Sequence, residues 1–155
     1  MDESAITQFI TDTFAGVDVL VACREDGSPE IAWGDSFFYY DPNRDLPKNR
    51  RMPFATIVTK DYDGFDCASN LNRPGVFRLN VAASKQTVSA LFGTAKPEDH
   101  DFTALDRIMP HPVYGKMYWV CVLNPSVETF RAVQPLLADA YQLAVSKYAK
   151  REDMG

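Results

Sequence analysis

The order of the predicted secondary-structure elements is the feature that most constrains the fold. Strand-like segments rich in β-branched and aromatic residues lie between two amphipathic helices, and only one short helix interrupts them. A doubly wound fold requires a regular alternation of strands and helices, which this order lacks. We therefore predict an α+β fold, with a mainly antiparallel sheet of about five strands and an N-terminal and a C-terminal helix packed on it.

Three regions have the apolar spacing or the end signals of helices. Residues 4–14 place apolar side chains along one helical face. Ser84 is a candidate N-cap for a short second helix that Gly93 closes. Pro135 is predicted to open the terminal helix from its first turn, after a separate short helix that starts at Pro125-Ser126.

The predicted strands are 17–23, 31–40, 54–60, 76–82 and 117–124. The first two form a hairpin, because Asp26-Gly27 between them is a strong turn signal. In the fourth, VFRLNVA, the apolar residues alternate onto one face, which we expect to be buried. Arg78 and Asn80 share the opposite face, which we expect to be exposed to water.

The length of 155 residues and the ordinary apolar content indicate a single domain over residues 1–155. No segment approaches the roughly 18 consecutive apolar residues of a membrane span, and the acidic start MDESAITQF does not resemble a secretory signal. Three cysteines without a CxxC pair argue against a structural disulfide or zinc site. We predict a cytoplasmic protein without membrane association, metal or cofactor, and leave its oligomeric state open.

The charge of the chain is distributed unevenly. Residues 44–85 contain eight Lys or Arg and four Asp, a balance of +4, although the whole chain carries a net charge of −5. Guanidinium and ammonium groups bind phosphate or carboxylate, so this region predicts a local surface for an anion. The predicted ligand-binding residues are Arg50, Arg51, Lys60, Arg73, Arg78, Tyr114 and Trp119. The alternative is that aspartates of the same segment neutralise these cations.

The segment 61–66, DYDGFD, resembles a calcium loop in its alternating carboxylates. An EF-hand loop requires a glutamate at its twelfth position, where this chain has Asn72, and Asp-Gly pairs are typical of turns. We therefore predict a turn. A metal site built from His100, His111 and a carboxylate is the less favoured alternative for the histidines.

No motif for glycine-rich nucleotide binding or for acyl transfer is present in the sequence. The protein therefore has no recognisable catalytic motif, and whether it is an enzyme stays open. The candidates for acid–base chemistry, in a cleft floored by aromatic rings, are Asp61, Asp63, Asp66 and His111.

Three blocks of sequence resemble the motifs of an uncharacterised domain-of-unknown-function family. They are GDSFFYYDP (34–42), MPFATIVTKDYDGFDCASNLNRPGVFRLNV (52–81) and HPVYGKMYWVCVLNPS (111–126). More distantly, HPVY, the tryptophan strand and ADAYQLAVSK resemble the MmcQ/YjbR-like proteins. The distant resemblance implies a CyaY-like, double-wing α+β fold and, by analogy of fold, DNA binding. The near resemblance implies no catalytic residue.

The sequence thus leaves three functions open. The leading hypothesis is a binding module for an anionic ligand, either nucleic acid or a phosphorylated or carboxylated metabolite. The first alternative is a small enzyme or resistance protein that acts on a metabolite through an Asp/His/aromatic cleft. The second alternative is a protein-interaction or oligomerisation domain.

Overall fold

A computed structural model describes residues 1–47 and 51–154 of the chain. It contains an antiparallel sheet of six strands with an N-terminal and a C-terminal helix, which confirms the predicted α+β class. The helices are α1 (Glu3–Thr13), α2 (Lys85–Phe92) and α3 (Val127–Met154). The strands are β1 (Val17–Val21), β2 (Ser36–Tyr40), β3 (Ala55–Val58), β4 (Arg78–Ala82), β5 (Met109–Pro110) and β6 (Trp119–Leu123). Their order in the sheet is β1-β2-β3-β4-β6-β5.

One face of the sheet packs against α1 and α3 and forms the main core. Leu79 and Val81 of β4 belong to this core, as the alternation of their segment predicts. They meet Ile10 of α1 and Leu137 of α3, both of which have no exposed surface. Each such side chain contributes about 1.5–3 kcal/mol when it is fully buried. We call this face of the sheet the helix face.

The opposite face, which we call the loop face, is covered by the connections that precede β4 and β6. Leu71 from the first connection is buried in a second apolar cluster with Cys121 and Leu123 of β6. Arg78 and Asn80 of β4 lie on this face and are 0% and 2% exposed, so the prediction that they face water is wrong. The alternation of a strand shows which residues share a face, but a loop that folds back can bury the polar face as well.

Two element boundaries also differ from the predictions. Residues Glu30–Ala32 form a 3-10 turn and Gly34 has a φ of +89°, so the second strand begins only at Ser36. Pro135 lies inside α3 rather than at the start of a separate helix. An internal proline removes a backbone hydrogen bond, but apolar side chains on both sides of it are buried in the core and hold the helix continuous.

The short strand β5 was not predicted, because its two residues carry no readable periodicity. It extends the sheet beyond β6 and brings the segment with His111 to the loop face. None of the described helices combines the length and the apolar content that a membrane crossing requires.

Candidate functional site

A pocket of about 290 Å³ opens on the loop face of the sheet. Its floor is made by side chains of β2, β3, β4 and β6, which the strand register sets side by side: Phe37 pairs with Thr56, and Thr56 with Asn80. The lining residues are Phe37, Met52, Pro53, Thr56, Val58, Tyr62, Phe65, Asp66, Asn80, His111, Tyr114, Met117 and Trp119. The site therefore combines a polar floor with walls that are mainly aromatic.

The polar floor is anchored by Arg78, which lies fully buried beneath the pocket. Its Nη1 and Nη2 donate to the two carboxylate oxygens of Asp66, and the Nη1–Oδ1 distance is 3.1 Å. Nη1 also donates to Ser69 Oγ at 2.9 Å, and Nε donates to Asn80 Oδ1 at 2.8 Å. Asn80 in turn donates to Thr56 Oγ1 at 2.9 Å. The network satisfies a buried ion pair with hydrogen bonds, as its burial demands.

His111 closes this floor on the side of β5. It is 4% exposed, and the backbone N–H groups of Val113 and Tyr114 donate to its Nδ1 at 3.0 and 2.9 Å. Its Nε2 lies 3.2 Å from Arg78 Nη2 and 3.9 Å from Asp66 Oδ2. Burial first, and the adjacent guanidinium second, lower the pKa of His111 to about 3, against the opposing effect of Asp66. The imidazole is therefore neutral near pH 7.

The walls of the pocket are a chain of ring contacts. Tyr114 packs against Phe65 with their ring centroids 5.9 Å apart and against Trp119 at 6.3 Å, and it lies 5.0 Å from the ring of His111. At the mouth, the side chains of Met52, Phe65 and Met117 are more than half exposed. Exposed apolar residues around an apolar cavity are typical of a site where something binds.

Tyr62 forms another wall and is held in place from below. Its hydroxyl donates to Oδ2 of the fully buried Asp35 at 2.6 Å. The other carboxylate oxygen of Asp35 accepts from the backbone N–H and the hydroxyl of Thr59, at 2.9 and 2.8 Å. Burial and this hydrogen bond to Asp35 raise the pKa of Tyr62, so its hydroxyl stays protonated and keeps donating.

Those predicted cationic residues that the structure describes do not form one open surface. Arg51 lies over the ring of Tyr39 and pairs with Asp18 and Asp41, and its side chain is only 8% exposed. Lys60 lies 3.5 Å from the carboxylate of Asp35 and donates to a backbone carbonyl. The two acids that pair with Arg51 lie on β1 and directly after β2.

Arg73 and Arg78 also have protein partners. Arg73 donates to the backbone carbonyls of Ser69, Asn70 and Thr103 at 2.9 to 3.1 Å, so it ties two loops together. Arg78 pairs with Asp66, an aspartate of the same basic segment, as the alternative drawn from the sequence proposed. Arg50 lies outside the described residues.

The predicted acid–base residues separate in the structure. Asp66 and His111 line the pocket together, whereas Asp61 accepts a hydrogen bond from the backbone of Leu71 and Asp63 is exposed in the turn. The turn itself is as predicted, since Gly64 has a φ of +75° and Tyr62 and Asp66 are bridged across it. The described residues contain no group of three or more His, Cys, Asp or Glu that could hold a metal ion.

The two aromatic residues predicted to bind a ligand, Tyr114 and Trp119, both line the pocket. Sequence reasoning missed Thr56, Tyr62 and Phe65 as pocket residues, and it missed Asp35 beneath them. A polar residue inside an otherwise apolar strand segment was the available signal for Thr56 and Asp35. Tyr62 and Phe65 carry no such signal. They lie in a turn, where the path of the loop positions a side chain, and no periodic spacing along a strand or helix predicts that position.

Comparisons with known proteins match the chain to a protein family. No curated protein matches the chain, and no solved structure matches it. The distant resemblance to the MmcQ/YjbR-like proteins gains no support from them. The sequence model of the DUF6194 family, a family of unknown function, matches residues 1–153, which is nearly the whole chain. The blocks of sequence noted above are thus accounted for: the protein belongs to the DUF6194 family.

Proposed function

We propose that this protein is a cytoplasmic binding module for a small, mainly apolar molecule with an aromatic ring, which is held in the pocket on the loop face. The observation that carries this proposal is the pocket itself, with its aromatic walls and its apolar rim. A volume of about 290 Å³ lies just below the roughly 300–1,000 Å³ that ligand sites occupy. A ligand of one or two fused rings suits this space.

The charges around the pocket favour a ligand that is uncharged where it is buried. The positive charge of Arg78 is balanced by Asp66, and His111 is neutral. An anionic ligand, the leading expectation from the sequence, would need cations that are free to pair with it. Arg51, Lys60 and Arg78 are already engaged with carboxylates, so the described part of the site offers less to an anion than to a neutral ring.

The test uses naphthalene and its anionic relative 2-naphthoate as probes. Trp33→Phe removes one of the two tryptophans, so that fluorescence reports on Trp119 in the pocket wall. We expect naphthalene to change the Trp119 emission in a saturable way, and 2-naphthoate to bind more weakly. Tighter, salt-sensitive binding of 2-naphthoate would instead support the anionic ligand predicted from the sequence.

A matched pair of variants locates the binding. Tyr114→Ala removes the ring that contacts three pocket residues and should weaken naphthalene binding about tenfold. Leu91→Ala removes an apolar side chain of similar exposure from α2, outside the pocket, and should leave binding unchanged. The proposal is wrong if naphthalene does not bind, or if the two variants weaken it equally.

One observation supports the alternative of a small enzyme or resistance protein. His111 and Asp66 both line the pocket, with Nε2 and Oδ2 3.9 Å apart. In the observed arrangement, however, Asp66 accepts two N–H groups of Arg78 and His111 Nδ1 accepts two backbone N–H groups. A general base needs an accessible lone pair directed at the substrate, so the geometry favours binding over proton transfer. A change in the mass of a probe recovered after incubation would reverse this preference.

The exposed apolar rim also fits the third hypothesis, a protein-interaction or oligomerisation domain. Sedimentation equilibrium separates this function from small-molecule binding. A dimer that Phe65→Ala converts to a monomer would assign the rim to a second copy of the chain. A monomer at all concentrations would leave the rim as the entrance of the pocket.

A further inference from the structure

The hydrogen-bond partners of His111 determine which of its ring nitrogens carries the proton. Two backbone N–H groups, those of Val113 and Tyr114, donate to Nδ1, so Nδ1 is an acceptor without a proton. A neutral imidazole then carries its proton on Nε2 and is a donor there. The same conclusion holds for each of the two contacts separately, because neither backbone group can accept.

His111 Nε2 and Arg78 Nη2 are therefore both donors, and no hydrogen bond forms between them. Four of the five guanidinium N–H groups are used by Asp66, Ser69 and Asn80. The fifth belongs to Nη2, which lies 3.2 Å from Nε2 and has nothing to donate to on the histidine ring. Asp66 Oδ2, the nearest carboxylate oxygen, is 3.9 Å from Nε2 and beyond hydrogen-bond reach.

The side chain of His111 is 97% buried, and His111 and Asp66, whose carboxylate is the nearest to Nε2, both line the pocket, so we place this donor at the pocket floor. A buried donor without an acceptor is unfavourable, and an acceptor on a ligand removes the penalty. A negatively charged acceptor gains little at this position, because the charge of the adjacent Arg78 is already balanced by Asp66, whose carboxylate lies 3.9 Å from Nε2. A neutral oxygen accepts the same hydrogen bond without the cost of burying a further charge.

From this geometry we propose that the ligand carries a neutral carbonyl oxygen, as in an aryl ketone, aldehyde, ester or amide, which accepts the Nε2–H of His111 at the floor of the pocket. This inference rests on the proposed function and adds the chemical class of the ligand to it. The fixed donor selects for an oxygen at one end of the ring system, while the aromatic walls hold the rest.

Three probes of nearly identical shape test the inference: 2-acetylnaphthalene, 2-isopropenylnaphthalene and 2-naphthoate. The first two differ only in C=O against C=CH₂, so they differ in the acceptor and hardly in volume. We expect the ketone to bind about five- to tenfold more tightly than the alkene, as one added hydrogen bond allows, and the carboxylate to bind less tightly than the ketone.

The variant His111→Asn tests whether the Nε2–H group of His111 causes the preference for the ketone. The amide oxygen of asparagine can accept the backbone N–H groups in place of Nδ1, so the local turn is retained, but no donor reaches the position of Nε2. The ketone and the alkene should bind this variant equally, because the loss of the imidazole ring changes the packing for both probes alike and removes the donor that only the ketone uses. A preference for the ketone that survives in His111→Asn would overturn the inference.

The outcomes separate this inference from the proposed function. Equal binding of the ketone and the alkene to the unmodified protein leaves the pocket as a site and refutes the carbonyl acceptor, whereas no binding of either refutes both. Long-range ¹⁵N–¹H correlation spectra of the protein without probe give an independent readout. They should show the proton of His111 on Nε2 between about pH 5 and pH 8, and a proton on Nδ1 would also refute the inference.

Discussion

The buried pair of Asp66 and Arg78 gives the sharpest prediction for stability. Asp66→Asn keeps the shape of the side chain and removes its charge, which leaves the guanidinium buried without a counter-ion. Breaking a buried ion pair from one side costs about 3–5 kcal/mol. Arg78 retains its bonds to Ser69 and Asn80, and the Asp66 side chain is 9% exposed, so we expect the lower end, about 3 kcal/mol.

Urea unfolding followed by circular dichroism measures this loss as a change in the free energy of unfolding. A domain of this size should also melt about 6–12 °C lower, at about 2–4 °C per kcal/mol. Asp63→Asn is the matched control, because Asp63 lies in the same turn and is exposed. It should change the free energy of unfolding by no more than about 0.5 kcal/mol.

A double-mutant cycle decides whether the pair is the cause. Arg78→Met leaves the Asp66 carboxylate without its partner and should be destabilising by a similar amount. Combining it with Asp66→Asn removes both charges. The loss of unfolding free energy in the double variant should therefore be smaller than the sum of the two single losses, by more than about 1 kcal/mol. Additive losses, or an Asp66→Asn loss no larger than that of Asp63→Asn, would show that the reasoning about this pair is wrong.

Three further predictions follow from the burial of single groups. The pKa of His111 is lowered to about 3 in the folded protein, so His111 takes up a proton on unfolding whenever the pH is below its ordinary pKa of about 6.5. The free energy of unfolding should therefore fall by up to about 1.4 kcal/mol per pH unit as the pH drops from 6.5 toward 5. Urea unfolding of His111→Asn over the same pH range should show a smaller slope. Tyr62→Phe removes a donor to the buried Asp35 and should lower the free energy of unfolding by about 1–2 kcal/mol, and a neutral result in urea would contradict the role of this bond. Burial raises the pKa of the Cys121 thiol to about 12, so a thiol reagent near pH 8 should label the exposed Cys67 rapidly and Cys121 only on unfolding; mass spectrometry of the labelled peptides checks the order.

Those parts of the fold that local patterns encode could be predicted from the sequence. The caps Ser84 and Gly93 delimit α2 as expected, and the apolar face of β4 lies in the core. Short-range spacing decides these features, because a cap or a face involves residues within one or two turns. Pro135 shows the limit: its local preference for a helix start is overridden by the tertiary burial of α3 on both sides of it.

The candidate site depends on contacts that are distant in the sequence. Arg51 pairs with Asp18 and Lys60 lies beside Asp35, so the neutralising charges come from outside the basic segment where the sequence suggested them. The location of His111 beside Asp66 likewise depends on the register of β5 and on the path of a loop. Composition and charge counts pointed to Asp66, Arg78 and His111 as candidates, whereas the sheet register and the loop paths determine that they meet.

The clamping of loops by Arg78 and Arg73 bears on how quickly and how selectively the pocket fills. Arg78 fixes the loop of Asp66 and Ser69 to the sheet, and Arg73 joins that loop to the carbonyl of Thr103. The walls are therefore already ordered before a ligand arrives, and little conformational entropy remains to be lost on binding. The proposed ligands should therefore associate in a single step at a rate set by diffusion and access, and related shapes should differ mainly in their dissociation rates.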